Sequence, residues 1–208
     1  MTQNTKEAVA LFLSKAEATA VQATEVADMN AAIKHAIDVC ENKEFCKLLL
    51  SDDPKAKALP PDELPRATIK TIAAPGLPAD TLAHLKELAK EKGFEVITSG
   101  MRKRMAGIDV TVTLAAFGLG DTASCCISTS DEDVQLATMI CESNVVILPK
   151  SKMYANTYEA ADELQVMIEQ EAAYTSLITG PSRTADIERV LALGVHGPLE
   201  LHVALLEA

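Results

Sequence analysis

From Thr68 onward, short apolar runs alternate with longer amphipathic ones, and this alternation constrains the fold more than any single motif. Thr68 to Ala73, Phe94 to Ile97, Asp109 to Ala116, Thr122 to Thr129, Val145 to Leu148, Tyr174 to Ile178 and Leu201 to Leu206 read as strands. In Asp109 to Ala116, Val110, Val112 and Leu114 share one face. Between these runs lie helical patterns. Pro78 opens one through Lys92, with Leu82, Leu85 and Leu88 inward and Gly93 as its stop. Asp131 to Cys141 is a second, with acids in its first turn where the helix dipole favours them. Tyr154 to Ala172 is a third. Strand–helix alternation predicts an α/β fold with an open, largely parallel sheet and helices on both faces. Ligands bind such sheets at the C-terminal ends of strands. Aromatic residues make up only 3% of the chain, so Ala, Val, Leu and Ile must build the core.

The first 60 residues read as an N-terminal helical extension and linker, and residues 61–208 as the α/β domain. Thr5 to Glu17 is a helix. Thr19 to Val26 is weakly strand-like. Asn30 is the expected cap of a helix to Glu41, with Ile33, Ile37 and Cys40 at helical spacing. Phe45 to Leu50 is an apolar run of either type. Ser51 to Pro65, rich in Pro, Asp and Lys, is the expected boundary.

A formal charge of −11 argues against nucleic-acid binding, since a phosphate backbone would be repelled. No apolar run approaches the roughly 18 residues of a membrane span, and the first residues lack the features of a signal peptide, so the expected location is the cytoplasm. The cysteines Cys40, Cys46, Cys125, Cys126 and Cys141 form no C-x-x-C pair. Cys125 and Cys126 point to opposite faces if they lie on a strand. No metal site and no cofactor are expected on this chain, and free thiols are the simplest reading.

The densest polar cluster is Thr179-Gly180-Pro181-Ser182-Arg183-Thr184-Ala185-Asp186-Ile187-Glu188, followed by Gly194-Val195-His196-Gly197-Pro198. Ser182 reads as an N-cap, Arg183 to Leu193 as a helix, and Gly194 as its C-terminal glycine. A helix N-terminus after a glycine turn suits an anion. Gly180, Ser182, Arg183, Thr184 and Gly197 are the candidate ligand-binding residues, with Arg183 as a bidentate anchor. His196, Asp186 and Glu188 are the candidate acid–base groups. The turn Gly118-Leu119-Gly120 leads to Asp121, Thr122 and Ser124, which form the expected second wall. Its glycines do not match a dinucleotide fingerprint. The basic triplet Arg102-Lys103-Arg104 reads as a solvated face. His35 and His84 are expected at the surface, and His202 as structural.

On the motif Gly180 to Glu188 with Gly194 to Pro198, the chain resembles the LUD-domain family, specifically the lactate utilization protein C (YkgG-type) branch. Gly120-Asp121-Thr122-Ala123-Ser124 is similar to that family's Ala-Asp/Glu-Thr-Gly-Thr strand, with Ala123 in place of the glycine and Ser124 in place of the second threonine. The arginine that the family carries before Leu-Ala is Gln135 here. The resemblance implies a sugar-isomerase/coenzyme A transferase-like α/β fold. It also implies a non-redox subunit or accessory protein in the oxidation of L-lactate to pyruvate, beside two partner proteins that carry the iron–sulfur clusters. A small anionic ligand would occupy the Gly180–Glu188/His196 pocket. The alternative is a stand-alone enzyme of isomerase or acyl/phosphate transferase type, acting on a small phosphorylated or acyl substrate. Fold analogy alone does not decide whether the chain catalyses a reaction.

Overall fold

Parallel strands cannot be joined by tight turns, so each return needs a long crossover, and this chain builds a second layer from its crossovers. The computed structural model describes residues 2–46, 66–104, 107–170, 174–184, 192–194 and 196–207. In chain order the elements are α1 (Gln3–Thr19), β1 (Val21–Val26), α2 (Met29–Asn42), β2 (Thr71–Ala73), α3 (Ala79–Glu91), β3 (Glu95–Ile97), β4 (Ile108–Leu114), β5 (Phe117–Leu119), β6 (Ser124–Thr129), α4 (Glu132–Ile140), β7 (Cys141–Pro149), β8 (Met153–Tyr154), α5 (Ala161–Ile168), β9 (Tyr174–Ile178), β10 (Arg183–Thr184), β11 (Ala192–Leu193) and β12 (Glu200–Leu206). Six strands form a sheet in the order β1-β12-β7-β4-β2-β3. Every pairing in it is parallel. A smaller sheet, β8-β5-β6-β9, comes from the β4-to-β7 and β7-to-β12 connections.

The alternation of side chains along β7 and β12 divides the core. Val146, Leu148, Leu201, Val203 and Leu205 face α1 and the small sheet, meeting Phe12, Cys125 and Ile127. Val145, Ile147 and Ala204 face the opposite side, with Ile33 and Ile37 of α2 and Leu85 of α3. Both faces of the central strands are covered, as expected for a parallel sheet with near-continuous apolar strands. The N-terminal segment is woven into this sheet. Val21 to Val26 pairs in register with Leu201 to Leu206, and Phe12 of α1 is completely buried.

The α/β expectation holds, and several local expectations need correction. The N-cap of α2 is Asp28, whose carboxylate accepts from Ala31 N at 2.8 Å, and Asn30 lies inside the helix. Gly118 and Leu119 belong to β5, paired with Cys125 and Ser124. A Cβ on Gly118 would lie 2.5 Å from Leu148 Cδ2, so the close approach of the two sheets requires the glycine. The predicted helix from Tyr154 is shortened to the eight residues of α5. Met153 and Tyr154 pair with β5 instead. Polar side chains close the turn that follows: Asn156 Oδ1 accepts from Glu159 N at 3.1 Å, and Glu159 Oε2 accepts from Ala155 N at 3.0 Å. Such local side-chain bonds compete with helix formation. The residues from 47 to 65, including all of the expected linker Ser51 to Pro65, lie outside the described residues.

Candidate ligand cleft

The motif around Gly180 folds as a pair of turns and a ribbon. Arg183 and Thr184 pair antiparallel with Leu193 and Ala192. A helix over Arg183 to Leu193 is therefore excluded at both ends, and Ser182 is not an N-cap. Its backbone is engaged instead, with Ser182 N donating to Pro198 O at 2.8 Å and Gly194 N donating to Ser182 O at 2.9 Å. Gly194, expected to end a helix, has φ +70 but follows a strand. Gly180 has φ +73, and a Cβ there would lie 2.1 Å from Thr19 O at the end of α1. Backbone conformation and space both require a glycine at this turn.

Behind these turns is a cleft of about 210 Å³ between the two sheets. Tyr174, Ser176 and Ile178 of β9 form one wall. Thr138 and Met139 of α4 form another, and Asn144 and Leu201 lie at the floor. Gly180, Pro181, Ser182, His196, Gly197 and Pro198 frame the mouth. Asn144 is the fourth residue of β7 and Leu201 the second of β12. The cleft therefore sits over the N-terminal halves of these strands, not the C-terminal ends expected from the sheet type.

Asn144 is the cleft's most informative residue. Its side chain is fully buried, and neither Oδ1 nor Nδ2 has a protein hydrogen-bond partner. Leaving a buried amide group unpaired costs about 1–3 kcal/mol. On the same face of β4, Thr111, register partner of Asn144, donates to Ala137 O at 2.9 Å, whereas the buried Thr113 Oγ1 also lacks a protein partner. Sequence reasoning missed Asn144 because it began the strand at Val145. The available signal was an amide joined directly to the apolar run from Val145 to Leu148.

The predicted site residues divide by position. Gly180, Ser182, Gly197 and His196 border the cleft. Arg183 is exposed and is not among the lining residues. Thr184 is half-buried in the ribbon. Asp186 and Glu188 lie outside the described residues. Asp121 and Thr122 are exposed on the hairpin turn. Ser124 is buried, bonding to Thr179 Oγ1 at 2.5 Å and to Thr122 Oγ1 at 2.7 Å. The two sequence motifs thus meet at Thr179, behind the cleft wall. Ala123 occupies the left-handed region at φ 50, the conformation that a glycine adopts without strain.

The basic triplet is engaged in surface ion pairs through its two arginines. Arg102 pairs with Glu132, and Arg104 with Glu95 at 2.7 Å, at the surface. His35 is not a surface residue. It is half-buried, its Nε2 has no hydrogen-bond partner, and its ring lies 5.8 Å from that of His202. Burial, and after it the nearby His202, lowers the His35 pKa below 6.5. All five cysteines are free and buried. Burial pushes Cys40, Cys46, Cys125 and Cys141 up to about 12, and Cys126 to about 11. Cys125 and Cys126 face opposite sides of β6, as predicted: Cys125 packs with Ile127, and Cys126 with Phe117. Among the described residues, no group of three or more His, Cys, Asp or Glu is placed to hold a metal ion. None of the described helices is long and apolar enough to cross a membrane.

Lactate utilization protein C of Bacillus velezensis is 30% identical over 95 residues, covering 44% of this chain and 39% of that protein. The Macrococcus caseolyticus protein of the same name is 28% identical over 95 residues, covering 44% and 41%. Uncharacterized protein YkgG of Escherichia coli is 28% identical over 119 residues, covering 56% and 49%. The alignment with the Macrococcus protein thus spans about two fifths of that relative's length. A solved DUF162 family protein from Deinococcus radiodurans shares the fold at a TM-score of 0.62 and 13% identity, over 99% of each chain. The family model of the LUD domain matches residues 9–206, and this chain belongs to the LUD domain family.

Proposed function

We propose that this chain is a non-redox component of a system that oxidises L-lactate to pyruvate, and that it holds a small anionic ligand in the cleft framed by Gly180–Ser182 and His196–Pro198. The lactate assignment draws on the names of the relatives. The observation that carries the ligand reading is the cleft itself, closed by the family-like motif through the Ser182–Pro198 and Ser182–Gly194 bonds. Its volume lies below the roughly 300–1,000 Å³ of drug- and cofactor-sized pockets, which favours a small ligand.

The non-redox assignment draws on the thiols. Iron–sulfur clusters are held by cysteine thiolates. Here all five cysteines are free and buried, and among the described residues no group of three or more His, Cys, Asp or Glu is placed to hold a metal. We assign the clusters to partner proteins. Deletion of the gene from its host tests the reading, with growth compared on L-lactate and on glucose. Loss of growth on lactate alone, restored by the wild-type gene, is the expected result. Unimpaired growth on lactate would refute it.

A further inference from the structure

We propose that Asn144 reads the ligand at the floor of the cleft, and that the ligand class is a small 2-hydroxycarboxylate. The proposal rests on the lactate reading above and deepens it. A primary amide presents the N–H donors of Nδ2 beside the acceptor Oδ1. In Asn144 both are buried, and both lack a protein partner. A 2-hydroxycarboxylate offers the complement on adjacent carbons: a carboxylate oxygen that accepts from Nδ2 and a hydroxyl that donates to Oδ1. A 2-oxocarboxylate offers acceptors only, so Oδ1 would stay unpaired in its complex. A site built to bond a ligand hydroxyl discriminates against an analogue lacking that donor, because its own buried group is left unmet.

The rest of the cleft agrees in size and charge. Its volume of about 210 Å³ corresponds to roughly seven waters at about 30 Å³ each, enough for a ligand of six or so heavy atoms with a short alkyl group. Ile178 and Leu201 provide apolar surface for that group. No lysine or arginine is among the described lining residues. That disfavours a phosphorylated ligand, which brings a charge of about −1.5 to −2, and suits a monoanion with His196 at the mouth.

Isothermal titration of the full-length protein with L-lactate and with pyruvate tests this, using wild type, Asn144→Leu and Asn144→Asp. Wild type should bind lactate at least about tenfold more tightly than pyruvate. Both variants should lose measurable binding, and Asn144→Leu should keep or raise the melting temperature. If Asn144→Leu does not fold, Asn144→Asp and the lactate-to-pyruvate ratio of the wild type still decide. Equal binding of lactate by wild type and variant would overturn the role of Asn144. Pyruvate bound as tightly as lactate would overturn the donor–acceptor reading. No binding of lactate by the wild type would overturn the ligand class, while the growth phenotype separately tests the proposed function.

Discussion

Replacing Gly180 by alanine tests whether the mouth of the cleft is built on close contact between the Gly180 turn and the end of α1. Two costs add. At φ +73 an L residue is strained by about 1–2 kcal/mol, offset in part by about 0.4–1 kcal/mol from the restricted unfolded chain. A Cβ at 2.1 Å from Thr19 O then forces backbone to move, and overpacking of that kind costs about 1–3 kcal/mol more. Gly93 is the matched control. Its φ is +72, but nothing lies within 4 Å of a Cβ there, so Gly93→Ala should show the strain alone. For a chain of this size 1 kcal/mol moves the melting temperature by about 2–4 °C. Gly93→Ala should lower it by a few degrees, and Gly180→Ala by about 2–18 °C. Differential scanning calorimetry reads both. Equal losses would refute the close contact.

Three further outcomes follow from buried groups. The His35 pKa is lowered on folding, so the unfolded chain takes up that proton first, and stability should fall as the pH drops below 6.5. Urea titrations between pH 8 and pH 5 should show this acid-side loss, and it should shrink in His35→Gln. Lys150 is buried between the carboxylates of Glu25 and Glu207. Burial lowers its pKa, but its hydrogen bonds to Glu207 and Glu25 outweigh that and hold it above 10.5. Its contribution is therefore present below pH 10.5 and lost as the pH rises past it. Lys150→Met should cost about 1–3 kcal/mol near neutral pH by chemical denaturation. The five buried thiols should react slowly with a thiol reagent in the native protein and rapidly once it is unfolded.

The sheet was legible because its strands are apolar runs bounded by turn residues. Val145 to Leu148 and Leu201 to Leu206 could be placed without structural information. The smaller sheet was half legible: β6 and β9 lie within the apolar runs Thr122 to Thr129 and Tyr174 to Ile178, whereas β5 and β8 form only through tertiary contacts. Gly118 reads locally as a turn residue, and only the packing of Leu148 against it shows that it belongs to a strand. Around Gly180, the serine, the arginine and a following glycine give a strong local helix signal, yet Arg183 and Thr184 pair with Leu193 and Ala192. That long-range pairing is invisible to local propensity. The site was half legible. The turns at Gly180 and Gly197 border the cleft, whereas Arg183 is not among its lining residues and Asn144 lies just before the strand read from Val145.

The most direct test of the account is an NMR titration of the isotope-labelled protein with L-lactate, following the side-chain amide of Asn144 and the backbone amides of Ser176, Ser182, Gly197 and Leu201. The account predicts saturable shifts at these groups, with the Asn144 side-chain resonances moving most and the surface pairs Arg102–Glu132 and Arg104–Glu95 unmoved. Shifts confined to other parts of the chain, or none at saturating lactate, would contradict a ligand cleft between the two sheets.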